Sequence, residues 1–411
     1  MRWGGVSLLL VVGLATGCVG EDPCRSAELQ PIARPRLAIV MSDYASSTIA
    51  IVDDDGFVIA PWLDSGSRPP QLVAALSGDV VLPRVMPEAQ ALVLIDRYQT
   101  DVLTRVPFAE PEAITQYDLR GGRTSGASPN PQDVLALHDG RWLVSRFNPA
   151  EDASAPTLAH GNDLAILDAS HTVVDRIDLA ADVTIEGERY FARPSALAAM
   201  RDGLVLVGLA RLSSLITRRT GPGAVALLDP DTRAVQVLEL DALSNCAMVA
   251  PFPDDAARAL VLCRGDAFGE DETRSGLVEV AIEAGVLLEV RRFTLSNDAE
   301  LPPPSNGLVP LDASRAAYVS SGSVREARVD RLVLLDLESA STRVITDSTP
   351  TPFELGEGTL DRDDGTLLVP DGNARAVRVF DARTLEERDA ITLEGACVPL
   401  TPRQVVVLTR P

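Results

Sequence analysis

Seven times along this 411-residue chain a short apolar run ends at or just before an acidic turn and is followed by a second, more alternating run. The unit recurs roughly every 40–70 residues, hairpin-like pairs stand ahead of most of the runs, and no segment keeps a helical period. These three observations predict an all-β fold: a seven-bladed β-propeller of four-stranded antiparallel blades, closed by its N- and C-terminal strands.

In chain order the first runs are STIAIVD (47–53), QALVLID (90–96), NDLAILD (162–168), GAVALLD (223–229), SGLVEVAI (275–282), RLVLLD (331–336) and RAVRVFD (375–381). Their partners are GFVIAPWL (56–63), DVLTRVPF (101–108), TVVDRIDL (172–179), RAVQVLEL (233–240), VLLEVRRFTL (286–295), TRVITD (342–347) and EERDAITL (386–393). These read as strands c and d of each blade. The hairpins at 71–84, 132–146, 195–211, 246–264, 306–321 and 353–371 read as strands a and b, with a innermost. The last stretch, CVPLTPRQVVVLTR (397–410), reads as one more a–b hairpin, while the first blade lacks a strand a. Joining the two ends removes the exposed sheet edges. LAIVMSD (37–43) also reads as a strand b, so eight candidates compete for seven places.

The repeats carry "P-x-x-V-x-x-x-D-G-x-x-x-V" followed by "V-x-V-L-D", most clearly at 131–144 with 164–168 and at 194–207 with 225–229. In this the chain resembles the YVTN-type, surface-layer-like seven-bladed propellers of bacterial envelopes over roughly residues 37–410. Ala281 departs from the pattern, standing where the turn Asp belongs. The resemblance implies the fold and leaves the function open.

The N-terminus, MRWGGVSLLLVVGLATGC, is a basic residue, an apolar run and a small-residue cleavage region, too short to span a membrane. Ala15-Thr16-Gly17-Cys18 resembles the bacterial lipobox, which implies cleavage after residue 17 and a lipid on Cys18. Val19 in place of Asp implies the outer membrane by the same analogy. The organisation expected is a signal peptide at 1–17, a lipidated tether at 18–36 and the propeller at 37–411.

Four further cysteines, Cys24, Cys246, Cys263 and Cys397, form an even set for an oxidising compartment. Cys246 and Cys263 face each other across a hairpin centred on Pro253-Asp254-Asp255, within disulfide range. Cys24 with Cys397 is the remaining pair. A buried free thiol is the alternative for each.

The net charge of −22, from 37 basic and 59 acidic side chains, argues against nucleic acid and against an anionic membrane surface. Contact with the membrane is thus expected only through the anchor. Long insertions at 109–130, 147–161, 180–194, 212–222 and 265–274 gather on the face of the b–c and d–a connections, where binding usually sits. Short turns, among them Ser77-Gly78, Asp139-Gly140 and Asp202-Gly203, fall on the other face.

Aligned by their apolar runs, the b strands end in Arg84, Arg146, Arg211, Arg264 and Arg410, with Ser321 and Asp371 as exceptions. Arg193 precedes a strand a, and Gln132 stands at a strand-a start. Two readings are open. The guanidinium groups converge on one mouth of the channel and bind a carboxylate or phosphate, or Asp43, Asp133, Asp371 and Glu354 neutralise them internally.

The three His, His138, His160 and His171, fall apart from one another and read as solvated, with no shared metal site. Asp361 to Gly365 reads as an acidic turn rather than a calcium loop, and 265–274, with Asp266, Glu270, Asp271 and Glu272, is the one weaker calcium candidate. No nucleophile elbow, zinc signature or phosphate-binding glycine loop is present. The expectation is a non-enzymatic binding or scaffold protein, without a required cofactor, taking an envelope protein, a glycan or a small anion on its long-loop face. The alternative is a propeller hydrolase or oxidoreductase with an acidic, calcium-dependent site.

Overall fold

The computed structural model describes residues 29–97, 99–122, 128–150, 155–214, 219–265, 274–293, 304–324, 327–393 and 400–408. Seven four-stranded antiparallel sheets form a ring. Blade 3 shows the common plan, with a at Pro131–Ala136, b at Trp142–Arg146, c at Asp163–Leu167 and d at Val173–Ile177. Blade 4 starts with a at Pro194–Ala199 and b at Val205–Leu209, and blade 5 with Met248–Phe252 and Asp255–Arg264. Blades 6 and 7 follow, their a strands at Pro304–Pro310 and Thr359–Asp361.

The middle strands are sandwiched between neighbouring blades, which is why they read as unbroken apolar runs. Every residue of Asp163–Leu167 and of Gly223–Leu228 is buried. Leu143, Leu164, Leu197, Val207 and Ala226 interleave blades 3 and 4, and Leu206, Val225, Val261 and Val278 interleave blades 4 and 5. Outer strands such as Val235–Leu240 are only partly covered. Asp96 accepts the N–H of Ser77 at 2.8 Å, whereas the acidic run-ends Asp53, Asp168, Asp229, Asp336 and Asp381 are explained by the turns they make. The carboxylate accepts backbone N–H groups two to four residues on: Asp168 from Ser170 (2.9 Å) and Thr172 (3.1 Å), Asp229 from Asp231 (3.0 Å) and Thr232 (3.1 Å), Asp381 from Arg383 and Thr384 (both 2.9 Å). Such bonds favour the anion and hold the Asp381 carboxyl at about 2.

The competition of eight strands for seven places resolves at the seam. Blade 1 takes strand a from the C-terminus, Pro402–Val407, and strands b, c and d from Pro35–Ser42, Ser47–Asp53 and Val58–Asp64. LAIVMSD is therefore a true strand b, and the closing stretch gives one described strand instead of a hairpin. Blade 2 is shifted by one strand from the sequence reading. Its strands are Val80–Val81, Ala91–Asp96, Val102–Pro107 and Thr115–Asp118, so QALVLID is b rather than c. Residues 71–78, read as strand a, form a connection into the blade, and Ser77-Gly78 lies against the long-loop side. Two of the long insertions hold strands of their own: Thr115–Asp118, and a hairpin of Val183–Ile185 with Glu188–Tyr190.

Cys246 and Cys263 are joined, S–S 2.04 Å, tying the entry to strand a of blade 5 to the end of strand b. Cys18, Cys24, Cys397 and Arg410 lie outside the described residues, as does the calcium candidate at 266–272. Asp361 to Gly365 is a plain turn between strands a and b of blade 7. The reading of His171 as solvated is corrected: its side chain is 15% exposed and packs against Trp142 (ring centroids 4.0 Å) and Tyr117 (4.5 Å), because its turn folds in between blades 2 and 3. That burial lowers its pKa.

Candidate functional site: the mouth of the channel

One hydrogen bond recurs where strand b ends. The residue there donates its N–H to the residue just ahead of strand a: Arg97 to Asp79 (3.1 Å), Phe147 to Asn130 (3.2 Å), Ala210 to Arg193 (3.2 Å) and Arg264 to Asn245 (3.0 Å). This bond defines equivalence between blades, and by it the expected ring of five arginines breaks up. Arg97 and Arg264 share a position. Arg146 stands one residue earlier and Arg211 one later. Side chains alternate along a strand, so a slip of one residue turns the side chain to the opposite side.

Arg146 and Arg211 accordingly serve as locks inside the blades. Arg146 is fully buried, with Nε and Nη2 each 2.8 Å from the Asp163 carboxylate and Nη1 donating to the carbonyls of Leu119 (3.2 Å) and Leu158 (2.7 Å). Asp163 also accepts from Arg176 Nε at 2.6 Å. Arg211 pairs with Glu239 and donates to the Ala181 carbonyl at 3.0 Å. Arg193 is buried with them, donating to Asn148 Oδ1 (2.6 Å) and the Ser213 carbonyl (2.8 Å), with its guanidinium 5.1 Å from the Phe147 ring centre. Arg146 and Arg211 are thus each paired with a carboxylate, Asp163 and Glu239, while Arg193 donates to a side-chain amide and backbone carbonyls; none of these is among the acids expected. Asp371 pairs with Arg378, and Asp43 caps its own loop.

A different set does meet in the channel. Arg84 is not a b-strand end, because blade 2 is shifted; it follows the short strand a. It reaches across the closing blade to Glu357 of blade 7, Nη2 to Oε2 3.7 Å, with Asp133 3.8 Å away. The Asp133 carboxylate is buried and accepts N–H groups from Val134 (2.9 Å), Leu197 (2.9 Å) and Arg84 (3.2 Å). Burial pushes its pKa up to about 6 despite the Arg84 charge. Arg97 pairs with Asp79 and donates to Gln132 Oε1 at 3.1 Å, and Gln132 donates in turn to Asn130 Oδ1 at 2.9 Å. Gln132 is thus engaged with Arg97, an arginine that the sequence reading missed.

Arg264 is the focus of this group. Its Nε is shielded from solvent and has no hydrogen-bond partner among the described residues. Burial lowers its pKa, Glu357 opposes that shift, and Arg84 and Arg97 add to it. Arg264 of blade 5 is thus placed near Arg84 and Arg97 of blade 2 and Glu357 of blade 7, all at the ends of inner strands. Arg403, at the seam, is tied to the carbonyls of Ser42 (3.2 Å) and Phe353, and lies 5.5 Å from the centre of the Tyr44 ring. Glu354 is close by, its pKa raised by burial and drawn back by Arg403. Among the described residues Arg264 and Arg403 have no ion-pair partner at this mouth, and Arg84 has only the long contacts to Glu357 and Asp133, 3.7 and 3.8 Å. Such an arrangement can hold a carboxylate or phosphate. Arg97 was legible in principle, since it directly follows the run ending in Asp96; Arg403 and Glu357 carry no sequence signal of their own.

No family model matches this chain, and no curated protein matches it. Solved structures do. The periplasmic gluconolactonase PpgL of Pseudomonas aeruginosa is 14% identical, with 92% of this chain and 99% of that one covered at a TM-score of 0.59. A putative 6-phosphogluconolactonase from Bacteroides uniformis is 12% identical over 91% and 99%, TM-score 0.54. Hydrazine synthase of Kuenenia stuttgartiensis is 14% identical over 88% and 99%, TM-score 0.53. At these identities the likeness is one of fold.

Proposed function

We propose that this protein is a lipid-anchored β-propeller of the bacterial envelope that binds an anionic ligand, without catalysis, at the long-loop mouth of its channel. The observation that carries the reading is Arg264 Nε, buried and without a hydrogen-bond partner among the described residues, beside two further arginines. A desolvated donor left unmade costs about 1–3 kcal/mol, more on a charged group, and a bound oxyanion offsets that cost. Binding to the folded state alone raises the melting temperature. At a ligand concentration a hundredfold above Kd the gain is about 2.7 kcal/mol, or roughly 3 °C for a domain of this size. The test is a thermal-shift screen of glucuronate, phosphate and small dicarboxylates at low salt, with Arg264→Ala alongside. A shift in the wild type that disappears in the variant supports the reading. No shift with any anion, or one that survives in Arg264→Ala, overturns it.

One observation favours the hydrolytic alternative at the same mouth. Glu354, with its carboxyl raised by burial beside Arg403, combines a proton-transfer group and a cation, as ester or lactone cleavage requires. Two of the structural neighbours bear gluconolactonase names. A pH-stat assay with δ-gluconolactone decides: turnover above the spontaneous rate that is lost in Glu354→Gln replaces the binding reading, and the spontaneous rate alone removes the alternative.

A further inference from the structure

Tyr44 stands beside the arginines in an unusual state. It is 68% exposed, and its backbone is left-handed (φ 65°), a conformation costly for a bulky side chain. The loop compels it. Ser42 Oγ accepts the Tyr44 N–H at 2.8 Å, and Asp43 Oδ1 accepts those of Ala45 (2.9 Å) and Ser46 (2.6 Å). Gly78 presses on the loop from behind: a Cβ there would come 2.4 Å from the Tyr44 carbonyl carbon. The backbone that carries the ring is thus held before any ligand arrives, with the Arg403 guanidinium 5.5 Å from the ring centre and the phenol within electrostatic reach of Arg264.

We infer that Tyr44 is a stacking platform that selects ligands whose anionic group is carried on a six-membered ring, the anion held by Arg264 and the flat apolar face of the ring laid on the phenol. This rests on the anion-binding reading above and deepens it. The geometry supplies the two parts such a ligand needs: a cation without an ion-pair partner among the described residues, and beside it an exposed aromatic ring on a backbone already held, which lowers the ordering cost of binding. Neighbouring Phe353, 52% exposed and also left-handed (φ 65°), extends the apolar rim on the other side of Arg403.

The test compares two acids of closely similar composition by calorimetric titration at low salt: glucuronate, whose carboxylate is on a pyranose ring, and gluconate, which is open-chain. Methyl glucoside serves as the ring without a charge. In the wild-type protein glucuronate should bind about tenfold more tightly than gluconate, the size of one stacking contact. Tyr44→Ala should bring that ratio to about one while leaving the gluconate affinity in place, and Tyr44→Phe should keep the ratio. Equal affinities in the wild type, or a preference that persists in Tyr44→Ala, would overturn the inference and leave anion binding standing. Failure of both acids to bind would also overturn the inference, and the anion reading would then be decided by the thermal-shift screen with phosphate and the dicarboxylates.

Discussion

Replacing Asp163 by Ala should separate the arginines that hold the fold from those that face the channel. Arg146 and Asp163 are both inaccessible to solvent and joined by two bonds of 2.8 Å. Removing the carboxylate leaves a buried guanidinium with only two carbonyls, and Arg176 loses the nearer of its two carboxylates as well. Breaking a buried pair on one side costs about 3–5 kcal/mol, because the stranded charge keeps its desolvation penalty. Spread over an unfolding entropy of about 0.8 kcal/mol per degree for a domain of this length, that is a fall of roughly 4–6 °C in Tm. Thermal unfolding followed by circular dichroism at a fixed scan rate reads it. The double variant Arg146→Met with Asp163→Ala should regain part of the loss, since no charge is then stranded. Arg264→Ala should behave in the opposite sense, leaving Tm unchanged or higher, because it deletes an unsatisfied donor. Equal losses for Asp163→Ala and Arg264→Ala would refute the division into locks and channel groups.

Three further outcomes are expected. Asp133 binds its proton more tightly folded (about 6) than at its ordinary value of 3.8, so stability should fall as pH rises through that window and stay lower above it, by on the order of 3 kcal/mol. Asp133→Asn should remove that fall, and parallel Tm-versus-pH curves for the two proteins between pH 4 and 6.5 would contradict the assignment. Replacing Cys246 and Cys263 together by Ala should cost about 3 kcal/mol, given 17 residues between them, and non-reducing peptide maps of the exported protein should show the two linked. Cys18→Ser should leave an unprocessed precursor or move the protein into the soluble fraction, since stable anchoring needs more than one acyl chain; unchanged processing and fractionation would end the lipoprotein reading.

The blades were legible because two physical constraints write on the sequence at once. A strand covered on both faces needs an unbroken apolar run, as in NDLAILD, and a two-strand corner needs a carboxylate to collect loose N–H groups, as Asp168 does. Blade 2 escaped because its innermost strand shrinks to Val80–Val81 and its outermost, Thr115–Asp118, is polar and half exposed. The apolar run at 72–76 buries Leu72 and Leu76 without joining the sheet, so hydrophobicity pointed to a strand where none formed. The candidate site was only half visible for a sharper reason. Alignment by apolar runs is good to about one residue, and one residue separates Arg264, in the channel, from Arg146 and Arg211, locked within blades. Arg403 and Glu357 reach the mouth through ring closure, which no local pattern encodes.

That seam also sets an order of events in time. Strand b of blade 1 is the first of the blade strands to be made, yet its partner Pro402–Val407 is made about 370 residues later (Leu37 pairs with Val407). Until then Ala38, Ile39 and Val40, all buried in the finished ring, border an open edge that invites pairing with other chains. The same docking step brings Arg403 under Tyr44 and lets Gln404 bind both backbone groups of Leu82, at 2.7 and 2.9 Å. The mouth is thus the last part of the molecule to exist. A chain truncated before residue 402 would carry most of its blades and lack the mouth, so binding of the proposed anion would double as a report that synthesis and closure have both finished.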